Sequence, residues 1–494
     1  MSALTWSECL TALSDLCLDS RGDPSLLLSG ASSDSRRLHA RSVFCAIPGE
    51  HEDGAAYVPA ALEAGACAVI AAHSLPELPE HIAFALVSDA YASAARIAEI
   101  VSGCPARRLR LYGVTGTNGK TTVAFLLRDM FRAEGRETGM IGTVQYEFAG
   151  KVFPADRTTP MPFDLQPLLA QMVEAGVDSV VAEVSSHALA QRRMGVAKFA
   201  GAIFTNLTGD HLDYHKDLES YYEVKSRLFL ESLSGAGHAV VNVDDPWGAI
   251  LAEEIRSQGG SVASLGQSET CDVRITDVEL EFDGVAFTLG LPGGKHRFHS
   301  PLIGLHNVYN ASQAAALAVC AGVSPEVVSG AVSRSCGAPG RLQAVSSPRG
   351  FTAYVDYAHT DDALRNVLAA LRHLQPGRIL TVFGCGGDRD RSKRPRMGRV
   401  AAELSDRVYV TSDNPRTEDP ESIIDEVLSG VPRGTSCVRL SDRAEAIESA
   451  IREARSGDLV LIAGKGHETY QEVDGMQHPF DDVDVVRTAI EQNG

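Results

Sequence analysis

The sequence predicts an α/β protein of three domains built on parallel sheets, and three observations lead there. Short, mostly β-branched apolar runs alternate with helical patterns along all 494 residues, the pattern of helices layered on parallel strands. At roughly 150 residues per domain that length makes about three, each large enough for its own core. The blocks break at two turn-like joins, SGCPARR (102–108) and CGAPGR (336–341), which gives 1–107, 108–337 and 338–494.

Within 1–107, SVFCAIPG (42–49) and ACAVIAA (66–72) read as strands on either side of a helical stretch, AAYVPAALEAG (55–65). The second block opens on RLRLYGVT (108–115) and continues with DSVVAEVS (178–185), FAGAIFTN (199–206) and HAVVNV (238–243), each a plausible buried strand. The third sets AYVDYAH (353–359), RILTVFG (378–384), RVYVTSD (407–413) and DLVLIAG (458–464) between helices such as DDALRNVLAALRHL (361–374), a second doubly wound unit.

Composition excludes several classes of function. With 64 acidic and 45 basic side chains the net charge is −19, which disfavours a general binder of nucleic-acid phosphates. No apolar run reaches the roughly 18–20 residues that cross a bilayer, and Glu8 and Asp15 stand where a signal peptide would want lysines, so no membrane insertion and a cytoplasmic location are expected. The ten cysteines contain no C-x-x-C pair, consistent with reduced thiols rather than zinc or disulfides.

The most informative stretch is GVTGTNGKTT (113–122), between a strand and a helix. Val123, Leu126, Leu127, Met130 and Phe131 fall on one helical face, and Gly135 ends it. Gly116 and Gly119 let backbone N–H groups turn around an anion, Lys120 adds a point charge, and Thr121 offers a hydroxyl to Mg²⁺. The strict G-x-x-x-x-G-K-T pattern is not met, because its first glycine would fall on Val114. A Gly-rich turn without a nucleotide is the plainer alternative. Downstream, Glu183 and His211 follow strand ends and are candidate Mg²⁺ ligands; His211 and His215 also mimic the spacing of a zinc pair, but the H-E-x-x-H base is missing. Lys225, by position alone, reads as a solvated helix residue.

Taken in order, TGTNGKTT, EVSSH, FTNLTGDHLDYH, YEVKSRLF, GLHNVYNASQAA and DYAHTDDAL, with SSDSRR (32–37) and the turn 49–54, closely resemble the ATP-dependent Mur ligases of bacterial peptidoglycan synthesis. That resemblance implies a UDP-sugar domain (1–107), a central P-loop NTPase-like ATP domain (108–337) and a Rossmann-like amino-acid domain (338–494), working with ATP and Mg²⁺; a monomer is expected, although the sequence does not fix the oligomeric state. It assigns Gly116, Thr117, Asn118, Gly119, Lys120, Thr121 and Thr122 to phosphates, with Arg341 reaching the γ-phosphate, Asn307 and Asn310 on the nucleotide side and Asp356 at the ribose. Thr121, Glu183, His211 and a carbamoylated Lys225 would hold magnesium. For the UDP substrate it implies Ser33, Ser35, the turn Glu50, His51 and Glu52, then Thr158, Thr159, Ser185, Gln191 and Arg193. Two departures stand out: Arg157 where the family often has Asn, and Asp361 in place of a proline, which suits a helix first turn.

The third block also carries GCGGDRDRSKRPRMGR (384–399), a basic run broken by aspartates that reads as a pocket for small anions. SDNPRTEDP (412–420) follows, where Arg416 after Pro415 could grip a carboxylate bidentately. DNPR resembles the diaminopimelate-adding members, so Arg389, Asp413, Asn414, Pro415, Arg416, Gly464 and Glu468 are the expected amino-acid site. Glu468 could meet the distal ammonium or serve a structural salt bridge. The implied reaction joins meso-diaminopimelate to UDP-MurNAc-L-Ala-D-Glu through an acyl phosphate. Rivals are a lysine-adding ligase, a folate polyglutamate ligase, and a nucleotide-binding regulator without ligase activity.

Overall fold

The computed structural model describes residues 4–49, 52–210, 212–281 and 284–493. Three large sheets succeed one another along the chain, with five, eleven and six strands. In the first, Gly30–Ser32, Ser42–Ala46, Ala66–Ala71 and Ala83–Val87 run parallel, and Cys17–Arg21 closes one edge antiparallel.

The central sheet has a parallel heart in the order Thr138–Ile141, Ser179–Glu183, Arg110–Thr115, Phe199–Phe204, Leu233–Asn242 and Ser261–Gly266. Gln145–Phe148 with Lys151–Pro154 extends it antiparallel at one end; at the other Val273–Glu281 joins parallel to Ser261–Gly266, and the strands from it through Gly294–Ser300 pair antiparallel. The parallel heart explains the continuous apolar runs, since each strand is covered on both faces. Val114, Val181, Ile203 and Val240 face the helices Lys120–Ala133 and Leu305–Cys320. On the opposite face Leu111, Val180, Ala182 and Phe204 meet Pro162–Glu174 and Leu218–Leu230. Phe131 and Leu127, both fully buried, each contribute roughly 2 kcal/mol.

The third sheet runs Gln343–Ser346, Thr352–Asp356, Leu459–Ala463, Ile379–Phe383, Arg407–Val410 and Cys437–Arg439, parallel except for the first strand. Asp361 opens the helix Asp361–His373 behind the Thr360 cap, as its first-turn role anticipates.

Register positions the chemistry. Glu183 pairs with Val114, and Phe204 with Thr115, so 116–119, 184–187 and 205–210 leave adjacent carboxyl ends. In the third sheet Asp356, Phe383 and Ala463 are aligned, and Val410 pairs with Phe383, so 357–360, 384–389, 411–416 and 464–468 emerge side by side. Ligands of open α/β sheets gather at such edges.

Candidate active site

The loop after Arg110–Thr115 is tight because its neighbours leave no room. Gly116 (φ +142°) lies against Asn206 and the Thr205 side chain, and Gly119 (φ +88°) against the Asn310 amide; a Cβ at either would collide. Asn206 fastens the loop, accepting from Thr117 N at 2.9 Å and Asn118 N at 2.9 Å. Lys120 Nζ donates to Gly116 O (3.0 Å) and Thr117 O (2.9 Å). Burial pushes the Lys120 ammonium below its usual pKa, and Glu183 and Asp210 act against that.

Beside it, Thr121 Oγ1 donates to Glu183 Oε2 at 2.9 Å, while Thr143 N and Oγ1 donate to the same carboxylate at 2.9 and 3.0 Å. Arg341 Nη2 reaches Thr121 Oγ1 at 3.3 Å. A hydroxyl and a carboxylate are hard oxygen donors and suit Mg²⁺. His211, Glu50 and His51 lie outside the described residues.

Lys225 corrects the sequence reading. It is 1% exposed, its Nζ donates to Gly116 O at 2.8 Å and sits 4.5 Å from the centre of the Tyr221 ring. The helix Leu218–Leu230 buries Tyr221, Tyr222, Lys225, Leu228 and Phe229, spaced i, i+1, i+4, i+7, i+8, so Lys225 occupies the apolar stripe rather than the solvated face. Burial and the neighbouring Lys120 push its pKa well below the usual lysine value. His215 is likewise buried, packed on Tyr221 and His187, with Nε2 unpartnered among the described residues and its pKa lowered by burial to about 4.

Next to the loop lies a cavity of about 380 Å³ lined by Asn118, Gly119, Thr122, Asn307, Asn310, Arg341 and Asp356, together with Leu302, Leu305, His306, Gln313 and His373, which sequence reasoning did not single out. Asp356 accepts from Leu342 N (2.7 Å) and Ala358 N (2.8 Å), and burial raises its pKa. Gln313 Oε1 and Arg341 Nε are buried without partners among the described residues, a demand that a polar ligand in this cavity would meet. A nucleotide fits this wall.

A larger cavity, about 820 Å³, is walled by all three sheet regions. Of the expected substrate residues it is lined by Ser33, Thr158, Ser185, Gln191, Arg193, Arg389, Asp413, Asn414, Arg416, Gly464 and Glu468. Ser35, Glu52, Thr159 and Pro415 are not on its wall. Glu52 instead accepts from the Tyr57 hydroxyl, and Ser35 opens the short turn Ser35–Arg37. Thr159 is buried, donating to Glu183 O at 2.8 Å and accepting from Arg193 Nη1 at 2.7 Å through its carbonyl, so it braces the wall from behind. Arg157, Tyr91, His187, Tyr214, Tyr357, His359 and Lys393 also line it. His359 Nδ1 donates to Tyr357 O (2.9 Å), and its pKa, lowered chiefly by burial to about 4, keeps the ring neutral.

The basic run is also corrected. Among 389–399, Arg389 and Lys393 line the cavity. Arg394 is fully buried, bonded to Glu418, Glu426 and Gly386 O, while Arg391 pairs with Glu426 and Arg396 with Asp361. A guanidinium carried on the inner face of Lys393–Leu404 must be neutralised where it lies, and half of the six basic residues of the run, Arg391, Arg394 and Arg396, are held in such ion pairs.

At the amino-acid end, burial would raise Asp413, but Lys465 and Arg443 beside it outweigh that and hold its carboxyl below the usual range. Gly464 (φ +119°) lies against Asp413 Oδ2, too close for a side chain. Arg443 and Asp482, both fully buried, form a two-pronged ion pair (2.8 and 2.8 Å) that also holds Ala463 O and Ser412 O. Glu468 lines the cavity and is anchored by Lys465 Nζ (2.9 Å) and Asn414 Nδ2 (2.8 Å), so the salt bridge and the ligand-facing position coexist.

A Gly-rich loop lining one cavity, together with a second cavity walled by all three sheet regions, defines a class: nucleotide-using enzymes that bring separate small molecules together between domains. Residues 114–318 match the Mur ligase middle domain, and 340–466 the Mur ligase, glutamate ligase domain. The chain belongs to the Mur ligase family. It is 43% identical over 474 residues, 96% of each chain, to UDP-N-acetylmuramoyl-L-alanyl-D-glutamate–2,6-diaminopimelate ligase of Gloeobacter violaceus. To the protein of the same name from Parasynechococcus marenigrum it is 45% identical, covering 94% of this chain and 95% of that one. A solved structure of a ligase with that name superposes with a TM-score of 0.70 at 34% identity over 99% of both chains. Folylpolyglutamate synthase of Mycobacterium tuberculosis, complexed with ADP and AMPPCP, shares the fold over 76% of this chain and 93% of its own (TM-score 0.64, 20% identity). Among the described residues no helix is long and apolar enough to cross a membrane.

Proposed function

We infer that the chain is an ATP-dependent ligase joining meso-diaminopimelate to the D-glutamate side-chain carboxylate of UDP-MurNAc-L-Ala-D-Glu. The observation that carries this is the 820 Å³ cavity, which puts residues of the expected UDP-sugar, ATP and amino-acid blocks on one wall. The identity of 42–45% to curated relatives bearing that ligase name supports it. In this reading 1–107 serve the UDP sugar, 108–337 ATP, and 338–494 the amino acid.

The γ-phosphoryl group of ATP passes to the carboxylate, giving an acyl phosphate and ADP. The diaminopimelate amine then attacks the acyl carbon, and phosphate leaves as the amide forms. Lys120 offsets charge on the phosphoryl oxygens. Thr121, Glu183, His211 and a carbamoylated Lys225 would hold Mg²⁺, which supplies charge neutralisation when bound. Burial, with the neighbouring Lys120, shifts Lys225 toward its neutral amine, the form that takes up CO₂. Arg193 and Gln191, tied to each other at 2.8 Å, face the UDP substrate with Ser33, Thr158 and Ser185. Arg389, Asp413, Asn414, Arg416 and Glu468 take the diamino acid, Arg416 reading its distal carboxylate; lysine lacks that group and would leave a guanidinium unmatched. We place the enzyme in the cytoplasm as a monomer with these small-molecule partners and no nucleic acid.

The test is phosphate release with ATP, Mg²⁺ and UDP-MurNAc-L-Ala-D-Glu, supplying diaminopimelate or L-lysine separately and weighing the UDP product. Release and a mass gain with diaminopimelate alone are expected. Turnover with lysine in its place would overturn the pocket argument, and none with either would return weight to the regulator.

A further inference from the structure

Arg416 lines the acceptor cavity, yet its guanidinium is not held by the cavity wall alone. Its Nε donates to Glu472 Oε2 at 3.1 Å and its Nη1 to Gly387 O at 2.7 Å, which leaves Nη2 for a ligand. Glu472 itself is not on the cavity wall. It belongs to a hairpin, Tyr470–Val473 with Met476–Pro479, closed by the two-residue turn Asp474–Gly475, both at positive φ (49° and 73°).

That hairpin is stitched to the specificity loop residue by residue. Arg416 N donates to Glu472 O (3.1 Å), and Asp474 N donates to Arg416 O (2.8 Å), holding Arg416 in a left-handed conformation (φ +53°). Glu472 N donates to Asn414 Oδ1 (2.9 Å), and Gln471 Nε2 to Asp413 O (2.6 Å). The left-handed conformation is strained for a side chain longer than glycine's, so these contacts are what keep the arginine there. Opposite, Gly386 lets the guanidinium pack close, since a Cβ there would stand 3.0 Å from Nη1.

We propose that Glu472 is a positioning residue for amino-acid specificity: it fixes the plane of the Arg416 fork so that the free edge meets the distal carboxylate of the diamino acid. This rests on the function inferred above. A guanidinium recognises a carboxylate through fixed geometry, so a fork free to rotate keeps its charge but loses discrimination. Glutamine at 472 retains an acceptor for Nε and preserves the plane; alanine does not.

The experiment compares the wild-type chain, Glu472→Ala, Glu472→Gln, Arg416→Ala and the double variant Arg416→Ala/Glu472→Ala, reading kcat and KM for diaminopimelate and for lysine. Glu472→Ala should raise KM for diaminopimelate by about tenfold or more with kcat within about threefold, and leave KM for ATP unchanged. Glu472→Gln should restore most of the loss, and Glu472→Ala should add nothing in the Arg416→Ala background. Additive effects of the two alanines, or a KM for diaminopimelate unmoved by Glu472→Ala, would overturn the inference while wild-type turnover left the reading of function standing. No wild-type turnover with diaminopimelate would overturn both. Should Glu472→Ala fold poorly, Glu472→Gln and Glu472→Asp decide by the same KM-against-kcat split, the shorter acid failing to reach Nε.

Discussion

His215 shows how one buried side chain ties the site to stability. It is 4% exposed among aromatic rings, its Nε2 has no partner among the described residues, and burial lowers its pKa from 6.5 to about 4. The unfolded chain takes up this proton near pH 6.5 and the folded chain only near 4, so the unfolded state binds more protons between those values. The contribution is therefore fully present above about pH 6.5 and is lost as pH falls toward 4. We predict that His215→Phe, which keeps a ring in the cluster, flattens the fall of stability across that window by on the order of 2 kcal/mol, measured as melting temperature against pH. A slope identical to the wild type would show that His215 titrates freely in the fold. Neither His215's burial nor that of Lys225 was legible from local polarity, since both are polar residues in polar-looking segments. For Lys225 the signal existed, in Tyr221, Tyr222, Leu228 and Phe229 around it at helical spacing. Reading the stripe before the charge would have found it.

Elements were legible where burial on both sides of a strand produced an unbroken apolar run. The strands Arg110–Thr115, Ser179–Glu183, Phe199–Phe204 and Leu459–Ala463 lie within the segments expected, and their ends carry the loops that make the site. In the antiparallel wings Lys151–Pro154 and Gly294–Ser300 expose one face or both and carry no such run, whereas Gly284–Leu291 is a buried apolar run that the sequence reading passed over. The hairpin that steadies Arg416 was announced only by its Asp474–Gly475 turn. At this scale the phosphate loop gives the sharpest prediction. Gly116 has φ +142°, and a Cβ there would stand 3.0 Å from the Asn206 carbonyl oxygen and collide with the Thr205 side chain. Gly116→Ala must displace the loop, whose N–H groups then lose their convergence on an anion. We expect ATP affinity to fall by at least about tenfold in a binding titration, with the fold retained by circular dichroism. Unchanged affinity would mean that the loop does not bind phosphate in this conformation.

At the scale of the molecule, what the sequence could not convey is how the blocks meet, because that depends on single contacts between surfaces far apart in the chain. Asp362 is such a contact. It stands in the first turn of Asp361–His373 in the third region, yet its Oδ2 accepts from Asn118 Nδ2 of the phosphate loop at 2.8 Å and from Thr208 Oγ1 at 3.4 Å. Asn118 lines the nucleotide cavity, so this bond links the arrangement of the two regions to the place where ATP is expected. Its neighbour Asp361 pairs with Arg396 at 3.4 Å within its own region. The two aspartates share a helix turn and differ in what they bridge, so they form a matched test of closure. An acyl phosphate survives only if closure excludes water, and closure must be completed by contacts of this kind. We predict that Asp362→Ala raises the radius of gyration in solution scattering, lowers kcat by roughly tenfold and raises uncoupled ATP hydrolysis relative to ligation. Asp361→Ala, by contrast, should leave all three unchanged. Equal effects of the two substitutions would assign the loss to the helix start they share and not to the bridge across the cleft.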